Sequence, residues 1–263
     1  MLRQLNSKQT KQVTQLQQFT CIASAESAAA LLAQLGWDVQ RAADAYFSGA
    51  ATLAAAPGNG AGAGAGAAVD QAKIARWFAS YCEPDTPDEM GPEGIQKLCD
   101  ELGVAPEDAV LLVISKHMAA ERMLAYTKQE FVRGMVEMGV DSAAALKARL
   151  AKLRSEMASP AGLRDVYAFT FKWACPPSQR SMPVDTALAL WHLLLEGRFP
   201  LLKRWCEYLE HNRKHAISKD EWMLLLDFAT ATAKDGLKGY DESAAWPVVI
   251  DTFVEYLTAN KLA

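Results

Sequence analysis

Two histidines four residues apart form the pair whose spacing could bind a metal. On a helix, His211 and His215 would lie on one face, as two zinc ligands of a metalloprotease do. That chemistry also needs a glutamate as general base and a third ligand, whereas Asn212 follows the first histidine and no third ligand is apparent. We therefore interpret the segment as a basic, solvated helix end and predict no metal site.

The cysteines could supply the nucleophile of a thioester-forming enzyme. All five occur singly, without a C-x-x-C motif. A reactive thiolate needs an electropositive, partly exposed setting, but Cys99 and Cys206 fall in amphipathic helical segments and Cys175 precedes two prolines. No phosphate-binding, dinucleotide-binding or hydrolase motif is present either. The sequence therefore predicts reduced thiols, as in the cytosol or nucleus, with no catalytic residue and no cofactor.

The composition excludes several classes of protein. The chain of 263 residues is 51% hydrophobic and 22% charged, which excludes disorder of the whole chain. Its formal net charge of -4 argues against a nucleic-acid partner, because such proteins usually carry an excess of Lys and Arg. No apolar run has the roughly 18 to 20 residues of a membrane helix, and the polar N-terminus lacks a signal-peptide core. We expect no nucleic-acid or membrane partner.

The elements that must position any site fall into two parts. Residues 49–68 are rich in Gly and Ala, so they are predicted to form a flexible linker. Residues 1–48 show three apolar stripes of helical period, the third of them preceded by Asp38 as an N-cap. Three helices in so short a segment resemble the ubiquitin-associated (UBA) fold. The larger second domain comprises residues 69–263.

Helical periodicity without strand alternation runs through the second domain, so we predict an all-α fold. Two segments match each other, because a Thr or Ser cap followed three residues later by Glu opens a helix at Thr127 and again at Ser218. Each segment has a weaker counterpart 36 or 37 residues upstream. The pattern resembles the ends of paired EF-hand loops and predicts two tandem EF-hand-like pairs.

The residues of these loops argue against calcium. A calcium loop needs oxygen ligands at positions 1, 3, 5 and 12 and Gly at position 6. In the window 119–130, position 5 is Met123 and position 6 is Leu124, and in the window 210–221 position 5 is Lys214. Since Met and Lys cannot bind a hard cation, we predict the EF-hand-like architecture without the metal. A calcium sensor is kept as an alternative function.

Several longer stretches carry a more specific resemblance. They read GIQKLCDEL, TKQEFVRGMVEMGVDS, YAFTFKWA, LLLEGRFPLLKRW, SKDEWMLLLDF and YDESAAWPVVIDTFVEYL. Together with the order of a UBA-like module, a linker and an EF-hand-like domain, they resemble the defective-in-cullin-neddylation (DCN1-like) proteins and their potentiating-neddylation (PONY) domain.

The resemblance implies a scaffold without covalent chemistry of its own. Members of the family bind the C-terminal winged-helix domain of a cullin and the N-acetylated Nedd8-conjugating enzyme. They act with the RING-box subunit, in the nucleus and the cytoplasm, to promote Nedd8 transfer to the cullin. Because the UBA-like module can bind ubiquitin, a ubiquitin-binding adaptor is a further alternative function.

The resemblance also implies two binding sites. The cullin-binding patch of the family corresponds to Asp220, Ala245 and Asp251, and Glu255 extends it by one helical turn. Neither Asp251 nor Glu255 has a Lys or Arg three or four residues away in the last helix, so the stripe could steer a basic partner surface. The second site is an apolar pocket for the acetylated methionine, which carries no charge to desolvate. Its residues are Ile95, Leu111, Ile114, Met118, Met123, Leu124, Tyr126, Trp173, Leu190 and Leu193.

Overall fold

The computed structural model describes residues 5–20, 25–47, 69–176, 178–212, 216–234 and 236–261. In chain order the elements are α1 (Ser7–Phe19), α2 (Ala25–Gln34), α3 (Val39–Phe47), α4 (Gln71–Ala79), β1 (Glu89–Met90), α5 (Pro92–Leu102), α6 (Val110–His117), β2 (Tyr126–Thr127), α7 (Lys128–Glu137), α8 (Ala143–Glu156), α9 (Pro160–Ala174), β3 (Ser181–Met182), α10 (Val184–Leu195), α11 (Leu202–Asn212), β4 (Ile217–Ser218), α12 (Lys219–Thr232), a 3-10 turn (Gly236–Gly239) and α13 (Val248–Ala259). The predicted all-α class is confirmed for this part of the chain. The predicted linker, Cys21, Lys214 and His215 lie outside the described residues.

The chain divides into two compact units. The first comprises Met1–Pro106, His117–Ala120 and Leu124–Ala151, and the second comprises Glu107–Lys116, Glu121–Met123 and Lys152–Ala263. No helix among the described residues is both long enough and apolar enough to cross a membrane.

The first three helices of the first unit pack on one another around a small apolar core. Leu16, Ala28 and Leu32 are fully buried. Asp38 caps α3 as predicted, since its Oδ1 accepts hydrogen bonds from the backbone N–H groups of Gln40 and Arg41. These contacts help helices as short as these to form, because packing of an apolar face supplies most of the stability of a helix in a protein.

A two-stranded antiparallel sheet organises the rest of the first unit. β1 pairs with β2, with Met90 opposite Tyr126. The sheet leads into α7, whose first buried aromatic residue is Phe131, and the Phe131 ring contacts Trp77 and Phe78 of α4 at centroid distances of 4.9 and 5.4 Å. The strand pair thus fixes the start of α7 against α4.

The second unit repeats this arrangement. β3 pairs with β4, with Met182 opposite Ile217, and leads into α12. Trp222 of α12 is fully buried and stacks on Tyr167 and Trp191 at centroid distances of 4.4 and 5.3 Å. These are the segments matched by the sequence repeat, so the two strand pairs agree with the predicted EF-hand-like pairs. Strands of two residues are too short to leave a visible alternation in the sequence.

Candidate functional site

Asp220, the first candidate residue of the predicted cullin-binding patch, lies at the start of α12. Ser218 and Glu221 form a capping box, in which the Ser218 hydroxyl accepts from the Glu221 N–H at 3.3 Å and the Glu221 carboxylate accepts from the Ser218 N–H at 2.8 Å. Asp220 lies between them and is exposed. The cap fixes the helix start, where a carboxylate is favoured by the helix dipole, and leaves Asp220 facing solvent.

Two further candidates lie on α13. One face of this helix is fully buried through Ile250, Phe253 and Leu257. Asp251 is half-buried and Glu255 is exposed. No ion pair within the described residues neutralises either carboxylate, so α13 carries the acidic stripe that the sequence indicated.

The loop before α13 carries the remaining candidate, Ala245, which is exposed. Side-chain hydrogen bonds and a stacked ring pair shape this loop. The Tyr240 hydroxyl donates to Asp251 Oδ1 at 2.7 Å, the Trp246 indole N–H donates to the Asp241 carbonyl oxygen at 2.9 Å, and the Ser243 hydroxyl donates to Asp241 Oδ1 at 2.7 Å. The Tyr240 and Trp246 rings stack at a centroid distance of 6.2 Å. These contacts brace the loop internally, and the Tyr240 hydroxyl joins it to α13.

The pKa of Tyr240 shows which carboxylates lie near its hydroxyl group. The hydrogen bond to Asp251 is the main cause that raises the pKa of Tyr240 to about 12, followed by burial and by the charges of Asp251, Glu242 and Glu255. Three carboxylates thus act on one hydroxyl group. The structure brings Asp251, Glu255 and the additional Glu242 into one negatively charged region.

The core joins α12, which carries Asp220, to this region. Phe228, two turns further along α12, contacts the rings of Tyr240, Trp246 and Phe253 at centroid distances of 6.2, 5.9 and 6.3 Å. Among the described residues, no hydrogen bond or ion pair connects Asp220 to Asp251. Tyr240 is not among the site residues predicted from the sequence, although two aromatic residues that flank an acidic loop, Tyr240 and Trp246, are a signal that could have indicated it.

The residues of the predicted apolar pocket divide between the two units. Ile95, Met118, Leu124 and Tyr126 belong to the first unit and the other six to the second. Most are buried or half-buried, but Met123 and Leu124 expose 39% and 55% of their surface. Two grooves in the second unit, of about 600 and 380 Å³, are lined by other residues. Whether the ten residues form one pocket therefore stays a prediction.

The loop that carries part of this set has an unusual backbone. Ala119 and Leu124 adopt left-handed φ values of 44° and 60°, which side chains other than Gly, Asn and Asp rarely do. The Arg133 guanidinium holds the loop start by donating to the carbonyl oxygens of Met118 and Ala119 at 2.5 and 3.1 Å. In the second unit, Trp173 is half-buried with a buried indole N–H that has no hydrogen-bond partner among the described residues.

Cys206 and Cys175 have a setting opposite to that of an activated thiol. Burial, followed by the charges of Glu210 and Glu207, raises the pKa of Cys206 to about 12, and burial also raises the pKa of Cys175. In the described ranges, no group of three or more His, Cys, Asp or Glu side chains is arranged to hold a metal ion.

The comparisons with known proteins agree with the arrangement of elements. Residues 145–256 match the family model for cullin binding, and residues 10–52 match the model for a UBA-like domain. The chain is 37% identical to DCN1-like protein 4 of Drosophila melanogaster over 191 residues, which are 73% of this chain and 77% of that protein. It is 36% identical to DCN1-like protein 5 of Homo sapiens over 184 residues, which are 70% of this chain and 76% of that protein. The family predicted from the sequence is confirmed, and the chain belongs to the DCN1-like proteins.

Proposed function

We propose that the chain binds the C-terminal winged-helix domain of a cullin through the acidic patch, defined here as Asp220, Ala245, Asp251 and Glu255. The observation that carries the proposal is the stripe of α13, on which half-buried Asp251 and exposed Glu255 have no ion pair with a cation of the described residues. A basic partner surface would supply the missing counter-charge, and such complementarity raises the rate of encounter and selects the partner. The exposed methyl group of Ala245 leaves room for a side chain of the partner next to the carboxylates.

The second half of the proposal concerns the conjugating enzyme. An apolar pocket formed by the ten residues named above would accept the N-acetylated methionine of the Nedd8-conjugating enzyme. Acetylation removes a charge whose burial would be costly, so an apolar pocket distinguishes the capped from the free terminus. The exposed side chains of Met123 and Leu124 support a site that an apolar partner residue covers.

The chain would then promote neddylation by proximity. Binding the cullin and the charged conjugating enzyme together, with the RING-box subunit, converts an encounter of separate molecules into a reaction within one assembly. No side chain of this protein takes part in a covalent step in this mechanism. The raised pKa of Cys206 agrees with that role, because a thiol of this kind remains protonated at neutral pH.

A reconstituted cullin-neddylation assay tests the acidic patch. We expect Asp251→Lys and Asp220→Arg each to abolish most of the stimulation, because each places a cation against a basic surface. Glu93→Arg is the matched control, since Glu93 is an exposed acid in the first turn of α5 as Asp220 is in that of α12. Unchanged stimulation by both patch variants would refute the assignment.

Calorimetry with a synthetic peptide of the conjugating-enzyme N-terminus tests the pocket. The acetylated peptide should bind the full chain at least about tenfold more tightly than the free peptide, since an uncompensated charge costs more than 1.4 kcal/mol to bury. Equal affinity for the two peptides would contradict this half of the proposal.

The UBA-like match favours ubiquitin as a further partner of residues 10–52. If the protein acts mainly as a ubiquitin-binding adaptor, removal of residues 1–48 abolishes its function. In the scaffold mechanism, the shortened chain keeps most of its stimulation of neddylation.

A further inference from the structure

The hydroxyl group of Tyr240 has a fixed position next to the acidic patch. Its ring stacks on Trp246 at an interplanar angle of 25° and meets the edge of Phe228 at a centroid distance of 6.2 Å. Phe228 is fully buried in α12, and the Trp246 indole is anchored by its hydrogen bond to the Asp241 carbonyl. Because ring contacts hold it on two sides, Tyr240 can keep its hydroxyl at one point in space.

At that point the hydroxyl contacts the carboxylate of Asp251. The Tyr240 hydroxyl donates to Asp251 Oδ1 at 2.7 Å, and it is the carboxylate's only side-chain hydrogen-bond donor among the described residues. Asp251 also has no cation within the described part of the chain to orient it. Without the hydroxyl, the side chain would sample several staggered rotamers, and a partner would have to order it on binding.

We propose that Tyr240 is a positioning residue of the acidic patch, whose hydroxyl orients the Asp251 carboxylate toward a basic partner surface while its ring holds the loop of Ala245 beside it. The inference rests on the proposed cullin-binding function and adds a residue outside the patch that acts through Asp251. The pKa of Tyr240, raised to about 12, keeps the hydroxyl protonated, so that it remains a donor at physiological pH.

The test compares two tyrosines that donate to the same helix. Tyr240→Phe removes the hydroxyl but keeps the ring, and we expect it to weaken binding of the full chain to an isolated cullin winged-helix domain by about fivefold, because the partner must then order the Asp251 side chain on binding. Tyr208→Phe is the matched control, because its hydroxyl donates to Thr252 Oγ1 at 2.8 Å on α13 and does not contact the patch. It should leave the affinity within about twofold.

A double-mutant cycle separates orientation of the carboxylate from a general effect on the loop. In the Asp251→Ala background, Tyr240→Phe should cause no further loss, because the group it orients is absent. An equal loss in both backgrounds overturns the inference. So does an unchanged affinity of Tyr240→Phe while Asp251→Ala binds weakly, and in that case the proposed function stands. If Asp251→Ala itself binds as the unmodified chain does, the patch assignment and this inference both fail.

Discussion

The two strand pairs begin their following helices in the same way but present different chemistry to solvent. β2 leads into α7 through the capping box of Thr127 and Glu130, and β4 leads into α12 through that of Ser218 and Glu221. The next residue in each helix is a fully buried aromatic, Phe131 or Trp222. Both helices therefore begin with the same cap and the same buried aromatic position.

The exposed positions differ. The second residue of α7 is Gln129, whereas the second residue of α12 is Asp220, and both are exposed. Ahead of α7 the chain also exposes Met123 and Leu124. Caps and buried rings thus maintain the architecture at both helix starts, while the exposed positions are free to be apolar ahead of α7 and acidic in α12.

The largest expected effect on stability comes from removing the buried Trp222 ring of α12. Trp222→Ala should lower the free energy of unfolding by about 4 kcal/mol, because it leaves a large cavity. The indole N–H also donates to the Tyr167 carbonyl at 3.0 Å, so Trp222→Phe should still cost about 1 to 2 kcal/mol. Denaturant titration followed by circular dichroism measures both. A loss under about 2 kcal/mol for Trp222→Ala would contradict the packing described here.

The next largest effect on stability comes from removing a helix cap. The loss should be equal for the caps of α7 and α12. Thr127→Ala and Ser218→Ala each remove an acceptor for a backbone N–H, at 3.2 and 3.3 Å respectively, and each should cost about 1 kcal/mol of stability. Thr127→Ser keeps the acceptor and serves as the control in the same denaturant titration. If only one of the two alanine variants is destabilised, the two helix starts do not share one mechanism.

Local patterns account for what could be predicted from the sequence. Both capping boxes span four residues, and Asp38 caps the helix that follows it directly, so neighbouring residues suffice to recognise them. The pairing of Tyr240 with Asp251 could not be predicted in this way, because the two residues are eleven positions apart and meet only when the loop folds back on α13. The spacing of Asp251 and Glu255 in the sequence indicated the acidic stripe on α13. The orientation of the Asp251 carboxylate depends on tertiary structure.

The predicted apolar pocket shows the same limit. Periodicity indicates which side chains turn inward, and Met118 and Tyr126 are indeed buried. The left-handed φ of Leu124 leaves no signal, because leucine has no preference for that region and only the surrounding structure holds it there. Residues drawn from both units also cannot be joined into one site by periodicity, which is a property of single elements.

Exchanging the second residues of α7 and α12, which are Gln129 and Asp220, tests the comparison between the two helix starts. Asp220→Gln should lower stability by about 0.5 kcal/mol and Gln129→Asp should raise it by a similar amount, because each position lies at the positive end of a helix dipole. Binding should respond differently, since only Asp220→Gln removes a group from the acidic patch. The measurements are thermal melting and affinity for a cullin winged-helix domain. Tighter cullin binding by Gln129→Asp would show that helix starts in general attract the partner.

The smallest expected effect concerns the exposed loop ahead of β2. Leu124→Asn should stabilise the chain by about 0.5 kcal/mol, because asparagine tolerates the left-handed φ of 60° that strains a leucine. Leu124 exposes 55% of its surface, so little burial is lost. Met123→Asn is the control, since Met123 has no left-handed φ and gains nothing from the exchange. Thermal melting of the two variants measures the strain.

The same pair of variants tests why a leucine is kept in a strained position. If Leu124 serves the proposed pocket, Leu124→Asn should weaken binding of the acetylated conjugating-enzyme peptide while the protein itself becomes more stable. Gain of stability with loss of binding is the pattern of a functional site that retains strain. A variant that is both more stable and unchanged in affinity would remove Leu124 from the pocket, and would leave the acidic surface of the second unit as the better supported of the two sites.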